Sequence, residues 1–386
     1  MGHTQAVDAV VVGSGPNGLA AAIELARNGR SVVVYEAAGE PGGGCRSAEL
    51  TLPGFVHDVC SAIHPLAFAS PFFRSLPLEQ LGARGIHPGV PLAHPLDDGS
   101  AALLDRSMEE TAESLGVDGR AYLELMSPFV RNADGLIRDV LGPLRLPHHP
   151  ITTGRLGLKA LRSTSGLGRA VFKEDKARAL LAGIAAHSML PLTQIPTAVY
   201  GLMLGMIAHV HGWPMIEGGS GNLASALVSH LVSLGGEVVT SAPVNHLSDL
   251  PAARAYLLDV GPKQAIAIAG DRFPPRYLRA LRRYRYGVGI FKIDYALDGP
   301  IPWKAEECMG AGTIHLGGTL DEIAASEQAV NDGHHSERPY VLLAQQSLFD
   351  AFRTKIALLE DTIALLNELR QNGREAPPPS RDGESL

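Results

Sequence analysis

Residues 8–47 read "DAVVVGSGPNGLAAAIELARNGRSVVVYEAAGEPGGGCRS", and no other stretch limits the possible folds so narrowly. Residues 8–12, "DAVVV", are a nearly continuous β-branched run, the pattern of a parallel strand covered on both faces. Gly13, Gly15 and Gly18 follow at the spacing of a dinucleotide turn, with Ser14, Pro16 and Asn17 between them. In such a turn the first glycine permits the reversal from strand to helix, the second lets a pyrophosphate approach bare backbone, and the third lets helix and strand pack closely. Residues 19–29, "LAAAIELARNG", then read as a helix of strong formers ended by a glycine. "SVVVYE", residues 31–36, closes a βαβ unit, and Glu36 stands where a carboxylate accepts hydrogen bonds from ribose hydroxyls. A carboxylate there disfavours a 2′-phosphate by charge repulsion, which leaves FAD and NAD as candidates.

After Glu36, "AAGEPGGGCRS" places Gly42, Gly43 and Gly44 before Arg46 and Ser47. More bare backbone and a guanidinium near two phosphates supply donors and a counter-charge. This stretch resembles the GG motif that follows the first βαβ unit in flavin-dependent amine oxidases and phytoene desaturases. "GFVHDVCSAIHPL", residues 54–66, is similar to what phytoene-dehydrogenase-like proteins place next, nearest to their branch of pyridine nucleotide-disulphide oxidoreductase domain-containing proteins.

The resemblance implies an α/β fold: a Rossmann-like FAD/NAD(P)-binding domain with an inserted, mostly helical cap and a substrate-side antiparallel sheet. It implies FAD as cofactor, with Gly13, Ser14, Gly15, Pro16, Asn17 and Gly18 at the pyrophosphate and Glu36 at the ribose. Gly43, Gly44, Arg46 and Ser47 would line the phosphate and ribityl side, and Val244 would pack on the adenine side. His64 is brought toward the flavin and is the candidate for a catalytic side chain. Cys45, Cys60 and Cys308 form no CxxC pair, so the thiol relay of a disulphide oxidoreductase is not expected.

Bulk properties narrow the partners. An apolar fraction of 45% with 19% charged residues excludes wholesale disorder, and a formal charge of -7 argues against nucleic acid. The basic run "RYLRALRRYRYG", residues 276–287, reads as a solvated helix face. The histidines show neither HExxH nor paired His/Cys spacing, so no metal site is expected.

Four regions are expected along the chain. Residues 1–70 and 214–275 form a discontinuous FAD-binding domain; residues 71–213 form a helical cap and substrate region, with "HPGVPLAHPLDD" and "PLRLPHHPITTG" as proline-rich connectors. Residues 181–216 contain no Asp, Glu, Lys or Arg, but Pro191, Pro196 and Pro214 divide them into pieces too short to span a bilayer. Buried cap helices, a lipophilic channel and peripheral membrane contact stay open for them. Residues 276–349 form an incomplete substrate-side sheet, in which "IFKIDYAL", residues 290–297, alternates as a half-buried strand with Phe291, Ile293, Tyr295 and Leu297 on one face.

Beyond about Asp350 the family pattern stops, and the glycine-rich closing segment that the resemblance implies is not found. Residues 350–386 read instead as an amphipathic helix, with Phe352, Ile356, Leu359, Ile363 and Leu366 on one seam, and a polar tail, available for self-association. The expectation is an FAD-dependent oxidoreductase that takes a hydride from an apolar small molecule, with a cytoplasmic or membrane-peripheral location. The alternatives are a truncated, non-catalytic dinucleotide-binding or interaction protein and an NAD-dependent dehydrogenase.

Overall fold

The structure is a computed structural model and describes residues 6–142, 146–147 and 150–353. In chain order the strands are β1 (Val7–Val12), β2 (Val32–Tyr35), β3 (Ser47–Glu49), β4 (Val56–Asp58), β5 (Gly85–Ile86) and β6 (Val90–Pro95). They continue with β7 (Ala101–Leu104), β8 (Met215–Ile216), β9 (Glu237–Val239), β10 (Ala253–Leu258), β11 (Ala311–Leu316) and β12 (Val341–Ala344).

The first sheet has the order β10-β1-β2-β9 and every pairing in it is parallel. Its central strand has no polar face because both sides are covered. Val11 packs with Leu19, Ile23 and Leu227 from helix α1 (Pro16–Arg27) and the helix Gly221–Ser233. Val10 and Val12 pack on the opposite side with Ile268 and Ala269 of the helix Pro262–Ala269. The fold is α/β with a Rossmann-like dinucleotide-binding domain.

The helices Gly119–Val130, Ala133–Leu141, Asp175–Ala186 and Ala198–His211 share a second core around Phe129, Leu136, Leu180 and Met206. Two of them account for most of the uncharged stretch 181–216. Every residue from Ala179 to Ala186 is buried, and an unpaired charge there would lose its hydration without compensation. Among the described residues no helix is long and apolar enough to cross a membrane.

The second sheet has the order β12-β11-β6-β7 and is mixed rather than antiparallel throughout: β11 runs parallel to β6 and antiparallel to β12, and β6 is antiparallel to β7. Two of its strands arise within 71–213, and "HPGVPLAHPLDD" contains β6 rather than serving as a connector. Pro91 and Pro95 lie near the ends of that strand, where a missing N–H costs least. The other proline-rich connector is partly outside the described residues, and from Pro150 it is the first turn of the helix Pro150–Ala160, a position that tolerates proline.

Residues 290–297 correct the expectation of a half-buried strand. They join no ladder among the described residues, and their apolar face is turned outward, with Phe291 89% and Tyr295 67% exposed. Alternation sets which side chains share a face, but a strand exists only where a neighbour accepts its backbone hydrogen bonds. The helix expected after Asp350 lies outside the described residues apart from its start: Phe352, in the single turn Ala351–Arg353, is 56% exposed.

Candidate dinucleotide site

The turn between β1 and α1 is fixed by two contacts that only bare backbone allows. Gly13 has φ +102°, and a Cβ there would lie 2.4 Å from the Asp259 carbonyl oxygen. A Cβ on Gly18 would lie 2.2 Å from the Gly13 carbonyl oxygen. Gly15 precedes α1 and offers no side-chain cap, with Pro16 as the first helical residue. The Asp259 carboxylate, just beyond the end of β10, accepts the Gly18 N–H at 2.8 Å. That satisfies one free donor at the helix start and places negative charge against the positive end of its dipole. Among the described residues the N–H groups of Gly15 and Asn17 have no acceptor, and Asn17 is exposed. These are donors of the kind that bind a phosphate at a helix start.

The second glycine stretch lands on the first. Gly42 N–H donates to the Ser14 carbonyl at 3.0 Å, and a Cβ on Gly43, whose φ is +55°, would lie 3.0 Å from Gly15 Cα. Gly43 and Gly44 are exposed. Arg46 donates through Nε to the Gly43 carbonyl at 2.9 Å, and among the described residues its guanidinium has no carboxylate partner. A positive charge with unused donors therefore stands beside the glycine turn.

Glu36, at the end of β2, is partly committed within the chain. Its Oε2 accepts both the N–H of Ser14 at 2.9 Å and the Ser14 hydroxyl at 2.6 Å, and its Oε1 accepts the Ala38 N–H at 2.9 Å. Burial alone would raise its pKa, but the hydrogen bonds from Ala38 and Ser14 outweigh it and hold the carboxyl below its ordinary value. One lone pair on Oε1 is left for a hydroxyl donor. Ser14 itself is fully buried, so its side chain ties β2 to the turn.

Ser47 and His64 belong to a buried network. The Ser47 hydroxyl donates to Asp58 Oδ1 at 2.8 Å and accepts the Gly221 N–H at 2.9 Å. Asp58 Oδ1 also accepts the Ser220 N–H at 2.7 Å. Arg353 lies between Asp58 and Asp350, 2.9 Å from each; its contact with Asp58 is ionic and falls short of hydrogen-bond geometry. The Ser220 hydroxyl donates to the Ser61 carbonyl at 2.6 Å, so it must accept from His64 Nε2 at 2.7 Å. That assigns the His64 proton to Nε2 and leaves Nδ1 as the lone-pair nitrogen. Burial brings the His64 pKa down to about 4, so the ring is neutral at pH 7.

Val244 follows β9 without regular structure and packs, half-buried, with Tyr35 and Leu247 beside Val10 and Val12. A separate histidine cluster lies where the helix Asp175–Ala186 meets the second sheet: His187 Nε2 is 3.2 Å from His315 Nε2, and His94 Nε2 donates to the Gly318 carbonyl at 2.7 Å. The helical core around Phe129 and Met206 holds an apolar pocket of about 10 Å³, lined by Tyr122, Met126, Leu180 and Ile184 among others, at the lower limit for one water.

Sequence reasoning brought the two glycine stretches, Glu36 and Arg46 together, and the structure does place them side by side. It missed Asp259, Asp58, Ser220, Asp350 and Arg353. A signal existed for Asp259, which directly follows the apolar end of a strand as Glu36 does; nothing local marked the other four.

Comparison with known proteins agrees with this geometry. Residues 11–75 match the NAD(P)-binding Rossmann-like domain family. One of the subunits of limonene dehydrogenase from Castellaniella defragrans is 32% identical over 115 residues, 30% of this chain and 21% of that protein. Thiamine thiazole synthase of Fervidobacterium nodosum is 58% identical over 38 residues, 10% of this chain and 14% of that protein. The matches thus span well under two thirds of either curated relative. A crystal structure of a Pyrococcus furiosus protein superposes with a TM-score of 0.50 at 15% identity, covering 94% of this chain and 85% of that one, a likeness of fold.

Proposed function

We propose that this chain is an FAD-dependent oxidoreductase of the phytoene-dehydrogenase-like class, which takes a hydride from an apolar small molecule. The observation that carries the reading is the seating of Gly43 on Gly15 with the Arg46 guanidinium beside them, bonded through Nε to the Gly43 carbonyl and without a carboxylate partner among the described residues. A mononucleotide or plain NAD turn needs the first glycine stretch alone; the second adds bare backbone and a cation where a flavin dinucleotide continues from pyrophosphate to ribityl chain.

The residues fit that group. The N–H groups of Gly15 and Asn17 would hold phosphate oxygens, Arg46 would balance their charge, and Glu36 would take a ribose hydroxyl on Oε1. When bound there, FAD would supply a two-electron acceptor for the substrate's hydride, and the proton that the substrate also loses would leave to water. His64, neutral and fixed through Nε2, would position the Ser220 turn rather than carry a proton.

The domain division is part of the same reading. Residues 1–70 and 214–275 form the nucleotide-binding unit, as the pairing of β1 and β2 with β9 and β10 supports. The apolar substrate class rests on the cap and on the name of the limonene dehydrogenase relative, whose match is partial. The pocket inside the helical core has room for about one water, so the substrate would lie at the boundary of that core with the mixed sheet.

Anaerobic mixing of the FAD-loaded chain with monoterpenes and long-chain alkenes tests the function. Bleaching of the flavin band by one of them is expected. A protein that binds FAD without reduction by any would favour the non-catalytic reading, and one that binds NAD but not FAD would establish the dehydrogenase alternative.

A further inference from the structure

Residues 287–300 make no backbone hydrogen bond among the described residues, and within them the side chains alternate. Asp294 points toward β4, where its carboxylate lies 3.6 Å from His57 Nδ1 and is ion-paired with Lys292. Phe291, Ile293, Tyr295 and Leu297 are 89%, 57%, 67% and 49% exposed. A stretch whose backbone donors and acceptors have no backbone partner among the described residues, with an outward apolar row, is a template for another strand. Asp294 is drawn in toward β4, and the exposed Lys292 is ion-paired to it.

The order Phe291, Lys292, Ile293, Asp294, Tyr295 identifies the strand that fits. An antiparallel partner related by a two-fold axis at Ile293 sets Lys292 opposite Asp294 of the second copy and Phe291 opposite Tyr295 of the second copy. Symmetry makes each pairing twice. Opposite charges and aromatic pairs facing across strands both favour that register, and a shift by one residue would separate both. We propose that residues 290–297 are a homodimer edge, on which a second copy of this chain adds the same strand antiparallel about Ile293. The interface is isologous, so it closes at two copies.

Charge exchange tests the register directly, because Lys292 and Asp294 lie outside the dinucleotide site. K292D chains present only carboxylates along this line and D294K chains only ammonium groups, so each meets like charge in its own dimer. Mixed together, they restore both opposite-charge pairs. Sedimentation velocity of the full chain should show a wild-type dimer, and each variant alone should weaken dimerisation by roughly tenfold or more. Their equimolar mixture should recover a heterodimer near wild-type strength. A simple loss of folding would not be repaired by mixing, and circular dichroism of each variant checks it. A monomeric wild type, a wild-type dimer insensitive to either variant, or a mixture that stays monomeric would each overturn the proposal. So would dimerisation that appears only after residues 354–386 are removed, which would place those residues on the edge.

Discussion

Residues 8–12 and residues 290–297 are both short apolar runs rich in strand-forming side chains, yet Val11 is fully buried and Phe291 is 89% exposed. The first is flanked by β2 and β10 and covered by helices on both faces; the second has no ladder neighbour among the described residues. Burial is therefore a property of the neighbours a segment finds, and the same local pattern can end as a core or as an open edge. The contrast extends to charge. Arg353 is buried between the carboxylates of Asp58 and Asp350, while Lys292 and Asp294 pair with each other at the surface.

The largest expected effect would break the buried side of that contrast. Arg353→Met leaves Asp58 and Asp350 buried without their cation, which should destabilise the fold by about 3–5 kcal/mol in urea unfolding. A loss below 1 kcal/mol would mean that the triad is open to water.

Acid should come next, counted one histidine at a time. Burial lowers His64, His94 and His187 to about 4 and His315 well below its ordinary value. Their folded-state pKa values lie below the unfolded value, so the unfolded chain binds more protons. Their contribution is present in full above about pH 6.5 and is lost as pH falls through about 4. Between pH 7 and 5 His64, His94 and His187 should each remove on the order of 2 kcal/mol. Unfolding free energies measured across that range should slope accordingly, and the slope should flatten in His315→Gln.

Asp259 sharpens the comparison at the turn. Asp259→Ala removes the acceptor of the Gly18 N–H and should cost about 1 kcal/mol, as loss of a helix cap does. Asp259→Asn keeps an acceptor while removing a negative charge near the phosphate donors, and calorimetric titration should show a few-fold tighter dinucleotide binding. The smallest effect belongs to the open edge. Phe291→Ser, measured at monomer concentrations, should change stability by less than about 0.5 kcal/mol; a core-sized loss would mean that the segment is covered in solution.

The nucleotide half was legible because its chemistry is local. Three glycines, a β-branched run on each side and a terminal acid state the turn, the strands and the carboxylate that ties them within 40 residues of each other. The GG stretch was legible as a partner to that turn by resemblance, and its contact through Gly42 and Gly43 follows from backbone geometry. What could not be read were pairings between distant parts of the chain. Asp259 reaches Gly18 only because β10 lies beside β1, and Arg353 reaches Asp58 across most of the sequence. Strand β6 was hidden by prolines that mark a connector locally and are tolerated at a strand's ends. Residues 290–297 were misjudged for the converse reason: their alternation is real, but the neighbour that alternation presupposes is not encoded within it.

The central claim is that the two glycine stretches together hold FAD. Its most direct test is the visible absorption spectrum of the purified chain after incubation with FAD and gel filtration, beside the same treatment of Gly43→Val. The account predicts near-stoichiometric flavin absorption in the wild type and little in the variant, with both proteins folded by circular dichroism. A folded wild type that emerges without flavin would contradict it.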